Sequence, residues 1–261
     1  MIKNFLDLWK EHFEWSKGVL FKKIKLLETA DIYFGYPQTE WFNFALPKVE
    51  KPTKLNLAEI KKVLFPVNPL TAIYLFEKHV KTGFPKFLTR NGYKFMGTDT
   101  YMVFNPKTLK DFKINIPIEH ISLSKFQEYD KLTYKVFSET GYDDPTYNKI
   151  CHKTLTGEMK SKAPGFSSEF FMIYENGKPV AGAGLFLTKE IGYFHNDVTL
   201  KEYREKGCHT ALIKERIKFC LDRGIKTLYS IVEYKSQSFR NYTNCGFETW
   251  QVCELFTLKN N

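Results

Sequence analysis

The sequence predicts an α/β (α+β) fold, and three observations carry the prediction. Through the second half of the chain, apolar-rich strand-like runs interleave with segments of helical spacing. The dipeptide Asn176-Gly177 separates two β-rich runs, the signal of a tight hairpin and so of antiparallel neighbours. A junction of helix end, glycine-aromatic pair and alternating strand occurs twice, at Gly92 and Gly246, 246 − 92 = 154 residues apart, which suggests two similar units.

The opening stretch, "MIKNFLDLWKEHFEWSKG", places Ile2, Phe5, Leu6, Trp9 and Phe13 on one helical face. Charges interrupt any run able to span a bilayer or form a signal-peptide core, so the reading is a packed helix of a cytoplasmic protein. An amphipathic surface anchor is the alternative. "WFNFALP", "LNLAEIKKVLF" and "TAIYLF" then loosely parallel strand, helix and strand before the first glycine-aromatic junction. Residues 104–117, "FNPKTLKDFKINIP", hold turn formers and few large apolar side chains, and they mark a boundary between units 1–110 and 111–261.

In the second unit, a strand in "INIPIEHISL" leads into a helix with Phe126, Tyr129, Leu132, Val136 and Phe137 at helical spacing. A second helix follows over "DPTYNKICHKTL", with Asp144 as cap and Pro145 at its first position. After the Asn176-Gly177 hairpin a third strand begins past Lys189, paired antiparallel. "GCHTALIKERIKFCLDRGI" sets Ala211, Leu212 and Ile217 on one face, with Lys214, Glu215 and Lys218 largely off it, and ends at Gly224. "KTLYSIVEY" reads as a strand, "SQSFRNYTNC" as a short helix stopped by Gly246, and "FETWQVCELFTL" as a closing strand or strand pair.

Bulk properties bound the function. A chain of 261 residues, 43% of them hydrophobic, can bury a sizeable core. Its net charge of +10 favours anionic partners without choosing among nucleotides, nucleic acid and membrane surfaces. Five cysteines, an odd number without a C-x-x-C pair, fit a reducing compartment and no zinc site, so no metal is expected.

One segment remains to be explained, "YREKGCHTAL" at 203–212, where basic residues and a glycine stand on the threshold of a helix. The element order and this segment resemble the GCN5-related N-acetyltransferases (GNAT) over residues from about 115 to 258. The family signature R/Q-x-x-G-x-G/A reads here as Arg204-Glu205-Lys206-Gly207-Cys208-His209. A second family element, a tyrosine four residues before a Gly-Phe, appears as Tyr242, Gly246 and Phe247, and "VAGAGL" matches a small-residue strand before the signature. The resemblance implies a mixed, mostly antiparallel central sheet flanked by helices, of the acyl-CoA N-acyltransferase type, in two tandem units.

It also implies acetyl-CoA as co-substrate and a small amine or amino-acid-like molecule as acceptor. A helix N-terminus presents unpaired N–H groups and a positive dipole end, suited to a pyrophosphate. On this resemblance the cofactor-binding residues are Val198, Thr199, Arg204, Glu205, Lys206, Gly207, Cys208, His209 and Thr210. The main chain of Val198 and Thr199 meets the pantetheine arm like an added strand. His209 departs from the signature, which has Gly or Ala there. Its imidazole either weakens phosphate binding or adds a donor, and both readings stand.

Acyl transfer needs a base for the amine and an acid for the departing thiolate. Tyr242 matches the family position credited as general acid. His195, Asp197 and Glu233 are candidate bases, Glu233 equally a residue that binds a cationic substrate, and alternation puts His195 and Asp197 on one strand face with Tyr193. The first unit lacks the signature and has Leu88 in place of Tyr242, so it should lack cofactor chemistry. The resemblance to tandem acetyltransferases implies that such a degenerate unit packs against the active one, extending the sheet or walling the acceptor pocket. Two other functions stay open. One is another acyl donor, such as aminoacyl-tRNA, although no RNA-binding motif with stacking aromatics is evident. The other is a non-catalytic acyl-CoA-binding module.

Overall fold

The computed structural model describes residues 2–66, 71–109, 113–139 and 145–258. The boundary expected at 110/111 and the cap expected of Asp144 lie outside the described residues. The first half runs α1 (Phe5–Ser16), β1 (Phe21–Leu26), β2 (Ala30–Gly35), β3 (Asn43–Pro47), α2 (Lys54–Leu64), β4 (Ala72–Phe76), α3 (Glu77–Lys81), α4 (Phe84–Arg90) and β5 (Tyr93–Phe104). The second runs β6 (Glu119–Ile121), α5 (Phe126–Ser138), α6 (Pro145–Leu155), β7 (Ser167–Glu175), β8 (Lys178–Leu187), β9 (Ile191–Thr199), α7 (Cys208–Leu221), β10 (Thr227–Glu233), α8 (Gln237–Asn244) and β11 (Phe247–Leu258).

Local chemistry places these elements where the sequence signals them. Asn176 and Gly177 both have positive φ, 50° and 72°, the backbone of the two-residue turn that joins β7 to β8. Gly246 has φ 88°, and a β-carbon there would come within 3.2–3.3 Å of main-chain atoms of Leu109 and Asn105. Only glycine fits that corner without strain.

The strands form one mixed, mostly antiparallel sheet in the order β1-β2-β3-β4-β11-β5-β10-β9-β8-β7-β6. Only β3–β4 and β9–β10 pair in parallel among the described residues. The two halves trade their last strands: β5 lies between β10 and β11, and β11 lies between β4 and β5. Along the β5–β11 ladder Tyr93 faces Leu258 and Phe104 faces Phe247. Both strands shift by the same 154 residues (247 − 93 and 258 − 104) that separate the two glycine-aromatic corners, so the repeat in the sequence is a near-symmetric pair in space. The closing segment is a single long strand rather than a pair.

Helix α1 ties the halves together across one face of the sheet. Trp9 packs against Tyr33, Tyr74 and Tyr101, and Trp15 packs against Phe186 and Tyr193. The Tyr229 hydroxyl accepts from Trp15 Nε1 at 2.9 Å and lies in hydrogen-bond contact with His12 Nδ1 at 2.7 Å. Leu6 does not join this face and is 65% exposed. The buried stripe extends from Trp9 round to Leu8 and Trp15, on the side of the helix away from Leu6. Helices α5 and α6 share the face of α1, and their residues Tyr129, Leu132 and Ile150 join the same core. Helices α7 and α8 cover the opposite face, around Phe194, Leu212 and Phe247.

Candidate functional site

Strand β9 carries an irregularity that decides where its polar residues point. Its pairing with β8 runs from Gly184↔His195 to Gly182↔Val198, so that Asn196 and Asp197 on β9 stand against the single residue Ala183 on β8. The extra residue is a β-bulge, and Asn196 takes φ 55° within it. Alternation is broken there. His195 stays with Tyr193 on the face of α1 and α5, while Asp197 turns to α7 and α8, so the shared face expected for His195 and Asp197 is corrected.

Asp197 is the hub of a buried network. Arg216 Nη1 lies 2.7 Å from Oδ1, His209 Nε2 lies 2.8 Å from Oδ2, and the Tyr242 hydroxyl donates to Oδ2 at 2.6 Å. Arg216 is fully buried, donates to the Gly184 carbonyl at 2.8 Å and lies over the Phe194 ring. Burial pushes the Asp197 carboxyl up, but the Arg216 guanidinium and the His209 hydrogen bond outweigh it and hold the carboxyl well below the usual range. Tyr242 is 1% exposed, and burial, with Asp197 beside it, drives its phenol well above its ordinary value.

His209 belongs to this network. Its Nδ1 lies 2.8 Å from Asn241 Nδ2, an amide nitrogen that can only donate, so Nε2 carries the proton given to Asp197. The imidazole has a hydrogen-bond partner at both nitrogens, Asp197 and Asn241, and turns inward.

The start of α7 has no side-chain cap among the described residues. Gly207 caps it with φ 82° and no side-chain hydrogen bond, and the first helical bond is Ala211 N–H to the Gly207 carbonyl at 2.9 Å. The N–H groups of Cys208, His209 and Thr210 precede that bond, with no helical acceptor of their own. Arg204, Glu205 and Lys206 stand exposed just before, Glu205 with φ 63°, and Arg204 Nε donates to the Thr199 carbonyl at 3.3 Å. The counterpart helix in the first half differs. At α2, 154 residues earlier, Thr53 Oγ1 accepts from Asn56 N–H and Asn56 Oδ1 accepts from Thr53 N–H. That capping box fills the end that α7 leaves free.

Strands β9 and β10 pair only over Ile191–Phe194 and Thr227–Ser230, then diverge. Val198 and Thr199 lie on the separated part of β9, paired with β8 on one side only. Across the sheet from α7, a cavity of about 730 Å³ opens between the halves, lined by α1, the segment 39–42, β5, α6 and the ends of β9 and β10. Tyr193, Asn196 and the exposed Glu233 reach it. His195 is set one ring back: it is buried, stacks on Phe186 at 4.1 Å, and neither ring nitrogen has a hydrogen-bond partner among the described residues. Burial and then Arg216 push it down to about 3.

Two functional candidates escaped sequence reasoning. Arg216 falls in step with Leu212 and Cys220 at intervals of four, a charge on the buried stripe of α7. Asp99 has the parity of the buried Tyr101 and Val103 on β5, a carboxylate on a core-facing position. Asp99 lines the cavity, 9% exposed. Burial, with Glu233 opposite, raises its carboxyl well above the ordinary value.

The profile of the acetyltransferase (GNAT) family matches residues 127–247, from α5 to the start of β11. None of the curated proteins matches the sequence. Among solved structures, a conserved protein of unknown function from Staphylococcus epidermidis is 14% identical with a TM-score of 0.68, over 93% of this chain and 96% of that one. A GCN5-related N-acetyltransferase from Kribbella flavida is 12% identical with a TM-score of 0.61, over 92% and 90%. A tandem GNAT protein from the clavulanic acid biosynthesis pathway is 9% identical with a TM-score of 0.55, over 87% and 78%. Such likenesses concern the fold alone, which is of the GNAT type, in some of these structures in tandem. No described helix is long and apolar enough to cross a membrane, and no cluster able to hold a metal ion occurs among the described residues.

Proposed function

Because residues 127–247 are a domain of the acetyltransferase (GNAT) family, we propose that the chain transfers an acetyl group from acetyl-CoA to a primary amine of a small molecule, with residues 111–261 as the catalytic unit and 1–110 as its degenerate partner. The observation that carries this reading is the uncapped N-terminus of α7 beside the point where β9 and β10 part. An anion gains about 0.3–1 kcal/mol at such an end. Arg204 and Lys206 add charge, the main chain of 205–210 supplies donors and close approach for the pyrophosphate, and Val198 and Thr199 offer an open strand edge to the pantetheine arm. Acetyl-CoA, when bound, supplies the activated acyl group.

The amine nitrogen forms the C–N bond as the thioester C–S bond breaks. The bound ammonium first gives one proton to a base to become the attacking amine, and the second proton that nitrogen loses once the C–N bond forms balances the one the departing thiolate takes. His195, held neutral at a pKa of about 3, is a weak acceptor for the first proton. We assign the base to Asp99, whose carboxyl burial and the neighbouring Glu233 hold above its ordinary value, with Glu233 beside it at the cavity. Tyr242 is the donor to the thiolate. It stays protonated through the neutral range, and rotation about its C–O bond frees the hydrogen now held by Asp197.

Calorimetric titration with acetyl-CoA tests the donor site. Binding near −8 kcal/mol, the micromolar range, that Gly207→Asp abolishes without unfolding the chain is the expected result. No binding to folded wild type would overturn it and leave another acyl donor or a non-enzymatic role.

A further inference from the structure

The cavity between the halves has a composition that selects its occupant. Among the described residues its lining holds three carboxylates, Glu40, Asp99 and Glu233, and neither lysine nor arginine, in a chain of net charge +10. Its one histidine, His12, is committed at Nδ1 to Tyr229 and kept neutral by burial, which pushes it down to about 3. Most of the remaining wall is aromatic, including Trp41, Phe42, Tyr101, Tyr147 and Tyr193.

Asp99 and Glu233 face each other across the antiparallel β5–β10 pair. Like charges directly opposite destabilise a sheet. Asp99 is nine-tenths buried and its side chain makes no hydrogen bond or ion pair among the described residues, whereas Asp197, whose side chain is 11% exposed, has three partners. A buried carboxylate with no internal partner, aimed into a cavity, is satisfied by a cation from outside.

We propose that this cavity binds an organic ammonium ion with an aromatic or apolar body and no carboxylate of its own, the ammonium seated between Asp99 and Glu233 and the body on the aromatic wall. This rests on the acetyl-transfer reading only in making the ligand the acceptor. It narrows that acceptor, because an amino acid would bring its α-carboxylate among three acidic side chains with no cation to meet it. Aromatic faces also attract ammonium groups, so wall and carboxylates act on the same ligand.

The test is equilibrium binding of tryptamine, tryptophan and indole-3-propionate to the full chain without acetyl-CoA, followed by calorimetry. Tryptamine should bind at least tenfold more tightly than either carboxylate-bearing probe. Asp99→Asn should weaken tryptamine at least tenfold and Glu233→Gln by a smaller factor; because Glu233 is exposed, its variant keeps the test meaningful if the first folds poorly. Tryptophan or indole-3-propionate binding as well as tryptamine, binding unchanged in both variants, or no binding of tryptamine would each overturn the proposal. Tryptamine binding without acetyl-CoA binding would overturn the donor site and leave this inference standing, and the reverse pattern would do the opposite.

Discussion

Two buried carboxylates sit on opposite faces of the same sheet. Asp197, under α7 and α8, is met by a guanidinium, an imidazole and a phenol, and its charge is stabilised in place. Asp99, in the cavity between the halves, meets only Glu233, another acid, and its charge is opposed. A fold stabilises itself with the first kind of site and leaves the second kind unsatisfied only where something else supplies the missing partner. Asp197 is therefore read as architecture and Asp99 as function.

The largest effect expected from disturbing this contrast is at Arg216. Arg216→Met strands Asp197 without its buried counter-charge and should cost about 3–5 kcal/mol in urea unfolding. The double variant Arg216→Met/Asp197→Leu should recover most of that loss; equal instability in both would mean that packing, not charge, dominates the wall. Next comes Tyr242→Phe, which removes a hydrogen bond to a charged group and should cost about 1.5–3 kcal/mol of stability. If Tyr242 also protonates the thiolate, kcat should fall beyond what that loss explains, with KM for acetyl-CoA little changed. Unchanged kcat would remove the acid role and leave the structural one.

Asp99→Asn should behave in the opposite way, losing amine binding while gaining about 1 kcal/mol of stability, because it deletes a buried unpaired charge. The pH dependence gives the sign. Asp99 has a raised carboxyl in the folded state, so its stability contribution is complete below the ordinary carboxylate pKa and is lost as pH rises through the folded value. The advantage of Asp99→Asn over wild type should widen on going from pH 4 upward. For Asp197, whose carboxyl is depressed, stability is present above the ordinary carboxylate pKa and lost only as pH falls towards the folded value. The smallest effect is Glu233→Gln, within about 0.5 kcal/mol in stability at this exposed position, with its consequence confined to amine binding.

Much of this arrangement was legible in the sequence. The order of second-half elements, the Asn176-Gly177 turn and the repeat of the glycine-aromatic corners follow from local chemistry, and the chain folds accordingly. The exchange of β5 and β11 does not follow from it, because a strand's alternation says which face is buried and nothing about which neighbour it pairs with. The hairpin of β1 and β2 was also missed: "FKKIKL" carries too many charges for a buried run, since it is the sheet edge. The polar site was less legible still. One bulge at Asn196 moved Asp197 to the other face, and the signature's odd residue, His209, proved to be its partner. Asp99 escaped notice because it stands in the half that lacks the signature.

On the proposed mechanism an amine held as its cation at Asp99 gives up a proton there and receives an acetyl group from acetyl-CoA held at α7. The direct measurement is mass spectrometry of tryptamine after incubation with the chain and acetyl-CoA, alongside assay of free coenzyme A thiol. Wild type is expected to give N-acetyltryptamine and thiol in equal amounts, and Asp99→Asn little of either. Equal product from both proteins, or thiol released with no acetylated amine, would contradict it.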